Sequence, residues 1–102
     1  MSIESTIGKF PDAPLRALRP EHPSRDLLLA MAAEHMSQAE LARRTGISVR
    51  HIRRILSCKA KISARHALLF EIVLEVNASE LMRMQGKLAL FMARKKAEEV
   101  VA

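Results

Sequence analysis

The side chains with which this chain could do chemistry are overwhelmingly basic, and they are unevenly spread. Between Ser37 and Lys61 stand Arg43, Arg44, Arg50, Arg53, Arg54, Lys59 and Lys61 with a single acid, Glu40, so the whole net charge of +6 lies in this stretch and the remainder sums to zero. Positive charge concentrated on one short module is the footprint of a polyanion binder, above all of nucleic acid. Arginine adds directional chemistry, because its guanidinium can bond bidentately to guanine O6 and N7 or to phosphate. Catalysis would need more. His22, His35, His51 and His66 are scattered, no H-E-x-x-H occurs, Cys58 has no second cysteine near it, and there is no glycine-rich phosphate loop. These absences suggest no metal site and no cofactor. A basic ribonuclease is the rival from another class, but only His51 and Glu40 lie close enough in sequence to the arginines to act as acid or base. The chain therefore reads as a binder and not as an enzyme.

The elements that must hold these arginines are written around them. Ser37 with Glu40 makes an S-x-x-E capping box, so a helix should start there, with Leu41 and Ala42 inward. Gly46 follows Thr45 where a sharp turn needs a residue free to take positive φ. Ser48 caps a second helix in which Ile52, Ile55 and Leu56 form one apolar stripe, leaving Arg50, Arg53, Arg54 and Ser57 on the opposite side. Helix, glycine turn and arginine-faced helix together read as a helix-turn-helix with its second helix suited to a major groove. Val49 and Arg50 in the first turn, and Arg54 one turn on, are placed to meet base edges, valine against a thymine methyl. Arg43, Arg44, Arg53, Lys59 and Lys61 read as phosphate contacts that position without choosing sequence, with Ser48 beside them at the helix start. His51 could face a phosphate but reads more readily as an ordinary surface histidine.

The rest of the chain frames this module. Its 102 residues suit one domain, short enough that pairing with a second copy would help stability. With no Trp or Tyr, three Phe and few glycines, the core must be aliphatic and the fold all-α. Residues 1–21, holding Pro11, Pro14 and Pro20, read as a flexible tail whose Phe10, Leu15 and Leu18 could dock on a partner. Ser24 is expected to cap a first helix to about His35, burying Leu27, Leu28, Met31, Ala32 and Met36. Ser63 caps a fourth helix to about Val76, with Ala67, Phe70, Val73 and Leu74 on one stripe and Leu69, Ile72 and Val76 on another. Asn77 with Glu80 starts a fifth helix to about Lys96, where Leu81, Met84, Leu88 and Phe91 can close the core. Its other side holds Met82, Gly86, Ala89, Leu90 and Ala93. Leu69, Ile72, Val76, Met82, Gly86 and Leu90 are accordingly the candidate interface for a homodimer or another partner. Residues 22–97 make the domain and 98–102 are expected to fray. A single cysteine, no leader peptide and no long apolar run suggest a cytoplasmic protein with no membrane segment.

Over about seventy residues the chain resembles the HigA antitoxins, a branch of the XRE (phage repressor and Cro-like) helix-turn-helix proteins. The resemblance is carried by His22-Pro23, Ser37-Gln38 with Leu41-Ala42, Gly46-Ile47-Ser48, Ile52 and Leu56, Lys59, and Ile62-Ser63 with Ala67-Leu68. It continues through Leu81, Met84-Gln85 and Leu88. The family tends to end the fourth helix on glycine where this chain has Glu75, and to carry aromatic residues near Leu81, Leu88 and Phe91. The likeness implies a five-helix, lambda-repressor-like bundle, dimeric through the C-terminal helices, that reads a palindromic operator in double-stranded DNA. It implies that Gln38 reaches phosphate or braces the reader from the start of the supporting helix. It further implies a repressor of its own operon that neutralises a RelE-like ribonuclease toxin; a free-standing XRE regulator is the alternative.

Overall fold

The computed structural model describes residues 21–101. Among these it has five helices: α1 Ser24–Ala33, α2 Gln38–Thr45, α3 Val49–Leu56, α4 Ala64–Leu74 and α5 Ala78–Val101. The tail read over residues 1–21 falls, but for Glu21, outside the described residues. The first three helices and α4 form a cluster in which α1 meets α3 and α4, and α2 meets α3 and α4, while the main partner of α5 is α4.

Four of the five helices start as side-chain chemistry dictates. Ser37, Ser48 and Ser63 each sit in extended backbone and accept an N–H bond from the residue three ahead, Glu40, His51 and His66, at 3.1 Å. Asn77 Oδ1 does the same for Glu80 at 2.8 Å. Each bond satisfies a backbone donor that the first turn would leave orphaned. The first helix differs from the expectation. Pro23, fully buried, is its cap residue, and Ser24 is its first helical residue, buried, with its N–H donating to Nδ1 of His22 at 3.0 Å. The His-Pro pair thus does what a serine was expected to do: the imidazole accepts the first orphan donor while the proline ring, which has no N–H to satisfy, fills the core.

The core runs through Leu27, Met31, Met36, Leu41, Ala42, Ile47, Ile52, Ile55, Ile62, Ala67, Phe70, Leu74, Ala78 and Leu81. Leu28 and Ala32, expected inside, are exposed, Leu28 by 47%. The core-facing side of α1 is set by Ser24, Leu27 and Met31 with Ala30 beside them, and Leu28 lies about 100° round the helix from Leu27. Two boundaries also move inward. The helix expected to reach His35 stops at Ala33, and that expected to reach Val76 stops at Leu74, because His35 and Glu75 take positive φ, 52° and 58°. Cys58, just past α3, does likewise at 65°. These are left-handed C-terminal caps built without glycine. Met36 N–H donates back to Met31 O and Lys59 N–H to Arg54 O, both at 2.8 Å, closing the ends of α1 and α3. The glycine that the family tends to place at the Glu75 position suits this conformation physically, since only glycine takes it without a Cβ penalty.

The last helix overruns its expected end at Lys96 and continues to Val101. Its first turns carry Ala78 and Leu81 into the core and lean Met82 against it. Met84, Leu88 and Phe91 are half-buried, Phe91 beneath the Lys95 ammonium at 5.7 Å, and from Met92 to Val101 every residue is exposed. No helix among the described residues is long and apolar enough to cross a membrane.

Candidate nucleic-acid interface

Three interlocking bonds hold the turn between α2 and α3. Gly46 takes φ 77° and donates its N–H to Ala42 O at 2.8 Å. Thr45, buried, donates its hydroxyl to Leu41 O at 2.7 Å and accepts the Ile47 N–H at 3.2 Å. The threonine hydroxyl therefore ties the end of α2 to the first residue beyond the glycine. In the sequence Thr45 marks only the end of a helix. Its hydroxyl becomes a turn brace through the backbone groups that the fold sets around it.

This turn presents α3 with Ile52 and Ile55 buried, Leu56 and Val49 leaning on the core, and Arg50, Arg53 and Arg54 exposed on the other side. The separation expected from the periodicity is present: one helix carries a dry face and a guanidinium face. Ser48, Lys59 and Lys61 are exposed around it, and Gln38, half-buried, opens α2. The charges are not equally free. Glu40 pairs with Arg43 at 3.5 Å and with Arg44 at 3.1 Å, which partly neutralises the supporting helix and leaves the strongest field on α3 and the loop beyond it. Arg54 donates from Nη2 to Lys59 O at 3.3 Å, and its own carbonyl receives the N–H groups of Lys59 and Ala60. It braces the loop as well as facing outward.

His51 is not the ordinary surface histidine that its position suggested. It is half-buried with its ring edge-on to His66 of α4, centroids 4.9 Å apart. Nδ1 of His66 is buried without a hydrogen-bond partner. Burial first, then the neighbouring His51 and Arg65, hold the His66 imidazole below its ordinary value of 6.5. A second pairing that spacing does not reveal is that of Gln85 with Ile62, described below; its signal is a polar side chain at the i+4 position from buried Leu81. Of the residues read as a partner surface, Leu69, Val76 and Met82 lean on the protein's own core, whereas Ile72, Gly86 and Leu90 are exposed. No group of three or more His, Cys, Asp or Glu among the described residues is arranged to hold a metal ion.

Comparison with known proteins agrees with this geometry. Residues 23–81 match the family described as helix-turn-helix. No curated protein sequence matches the chain. Among solved structures, antitoxin GraA superposes with a TM-score of 0.74 at 27% identity, covering 82% of this chain and 92% of that one. An addiction module antidote protein of the HigA family from Coxiella burnetii gives 0.71 at 25% identity, with the same coverage of 82% and 92%. A further structure, titled a putative antidote protein of a plasmid maintenance system from Nostoc punctiforme, shares the fold at 20% identity, with a TM-score of 0.72 over 83% and 98% of the two chains. With the family match spanning more than half its length, a turn held by Gly46 and Thr45 and an exposed arginine face on the following helix, this chain belongs to the helix-turn-helix family of XRE type, and its core is a DNA-binding domain similar to those of HigA-type antitoxins.

Proposed function

We propose that this protein is a cytoplasmic, dimeric transcriptional repressor and the antitoxin of a toxin-antitoxin pair. It represses its own operon and neutralises a RelE-like ribonuclease toxin. The observation that carries the DNA-binding half is the exposure of Arg50, Arg53 and Arg54 on a helix whose Ile52 and Ile55 are at most 1% exposed. Such a helix can lie in the major groove with Val49, Arg50 and Arg54 toward base edges and Arg53, Lys59 and Lys61 toward phosphates. The N-terminus of α2, opened by Gln38, is suited to a further phosphate. The toxin-binding half rests on relatives that are named antitoxin and antidote proteins.

The pairing surface we assign to the outer part of α5. Gly86, Ala89, Ala93, Ala97 and Val100 are exposed and fall on one stripe about 80° wide, with no charge inside it. Leu90, 56% exposed, and Val101, 85% exposed, border it. Small side chains let a second helix approach closely, and a two-fold pair would present two copies of α3 to half-sites about 34 Å apart on a palindromic operator. A free-standing regulator of the same fold is the second reading.

The test has two arms. Arg50→Ala should weaken a selected operator by about 1–3 kcal/mol and relax preference at one base pair; an unchanged base preference in a binding-site selection would refute the base-reading role. Co-expression with a ribonuclease encoded beside the gene should yield a stable complex and relieve its toxicity. A neighbouring gene that is neither toxic nor retained by the purified protein would favour the free-standing regulator.

A further inference from the structure

The loop after the recognition helix is fastened at both ends. At its start, the Arg54 carbonyl receives Lys59 N–H at 2.8 Å and Ala60 N–H at 3.2 Å, and Arg54 Nη2 reaches Lys59 O. At its far end, the side-chain amide of Gln85 on α5 grips a single residue twice. Its Oε1 accepts the Ile62 N–H at 2.6 Å and its Nε2 donates to Ile62 O at 2.7 Å, across 23 positions of sequence. The side chain of Ile62 is itself buried, 1% exposed. Both peptide groups of Ile62 are thus satisfied by one planar side chain, which fixes their orientation as well as their place. Lys59, held at the first fastening, and Lys61, just before the second, are both exposed, and Ser63, the cap of α4, follows Ile62 at once.

We propose that Gln85 is a positioning residue for DNA binding. Its amide holds the Lys59–Lys61 loop in the register that sets these two ammonium groups against the phosphate backbone. The inference rests on the reading of Lys59 and Lys61 as phosphate-binding residues. It adds that α5, far from α3 in sequence, sets how many phosphates the loop can engage. A flexible loop could still place a lysine near DNA, but each bond would then carry the ordering cost that the Gln85 latch removes beforehand.

The number of phosphates a protein neutralises is read from the salt dependence of its affinity, so the test uses a mixed-sequence DNA duplex titrated between about 50 and 200 mM salt. Gln85→Met, similar in length but unable to make either bond, should lower the slope by about 0.9 for each phosphate that a protomer no longer neutralises. At about 150 mM salt that corresponds to roughly fivefold weaker binding per phosphate. Gln85→Leu, uncharged and likewise unable to make either bond, should match it and serves if the methionine variant does not fold; far-UV circular dichroism establishes that helix content is kept. In a Lys59→Ala/Lys61→Ala background, Gln85→Met should cause no further weakening, because the groups it positions are gone. An equal weakening in both backgrounds would make Gln85 merely structural and overturn the proposal. So would a silent Gln85→Met where the lysine pair lowers the slope, with the phosphate reading left standing. A lysine pair that leaves the slope unchanged would remove the phosphate reading and this inference together.

Discussion

The α2–α3 unit and the outer half of α5 are both helical and well provided with alanine or leucine, yet they stand in opposite situations. In α2–α3 each helix is short, eight residues, and would be marginal alone. It is held by two serine caps, the Gly46 turn, the Thr45 hydroxyl and burial of Leu41, Ile52 and Ile55. The last helix has 24 residues and persists well beyond its contact with α4, exposing Leu90, Met92, Val100 and Val101. Where the large apolar groups are already buried or lean on the core, the exposed groups that remain, the arginines of α3, face outward toward a ligand. Where apolar groups remain exposed along a continuous helix, the surface is one that association would bury. The contrast separates a finished binding face from an unfinished one.

Paired truncations give the largest expected difference between the two regions. Leu41→Ala, at a site with no exposure, should cost about 2–5 kcal/mol in urea denaturation, whereas Leu90→Ala should stay within about 0.5 kcal/mol at concentrations where the protein is monomeric. Comparable losses at both sites would mean that α5 is buried even at high dilution.

The two glycines should respond with opposite signs. Gly46→Ala places a Cβ in the left-handed region and should destabilise by about 1–2 kcal/mol. Gly86→Ala, with nothing within 4 Å of the added carbon, should stabilise the monomer by about 0.5–1 kcal/mol. If Gly86→Ala also weakens dimerisation, the close approach assigned to that stripe gains support; a tighter dimer would argue against it.

Acid titration probes the seam between α3 and α4 and should have the smallest effect. The folded state holds His66 below its unfolded value of 6.5, so the unfolded chain binds the proton more readily as pH falls through that value. Stability contributed by neutral His66 is therefore full above about pH 6.5 and declines below it, toward the lowered folded-state value. His66→Phe should flatten the dependence of melting temperature on pH between about 7 and 5.5. An unchanged slope would assign the acid sensitivity elsewhere.

Much of the DNA-binding module was legible because its devices are local. A serine and the N–H three residues ahead, a glycine after a helix end, and an apolar repeat at i, i+3 and i+4 each act within a turn or two, so spacing alone carries them. The charge count located the arginine face for the same reason. Local chemistry was less dependable where an equivalent local alternative existed: Ser24 has the composition of a cap, but His22 and Pro23 take that role because the proline ring reaches the core.

What sequence by itself determined is the helix-turn-helix, its caps, its electropositive surface and the all-α class. Only the tertiary structure decided which apolar stripes the protein uses on itself. It turned Leu69, Val76 and Met82 toward the core and left Ile72 and Leu90 outside. It also brought His51 to His66 and Gln85 to Ile62, pairs 15 and 23 positions apart. The physical reason is that periodicity defines faces on a helix without saying what stands opposite them. A polar side chain on a core-facing position, such as Gln85, acquires its meaning from the backbone groups that packing places within its reach.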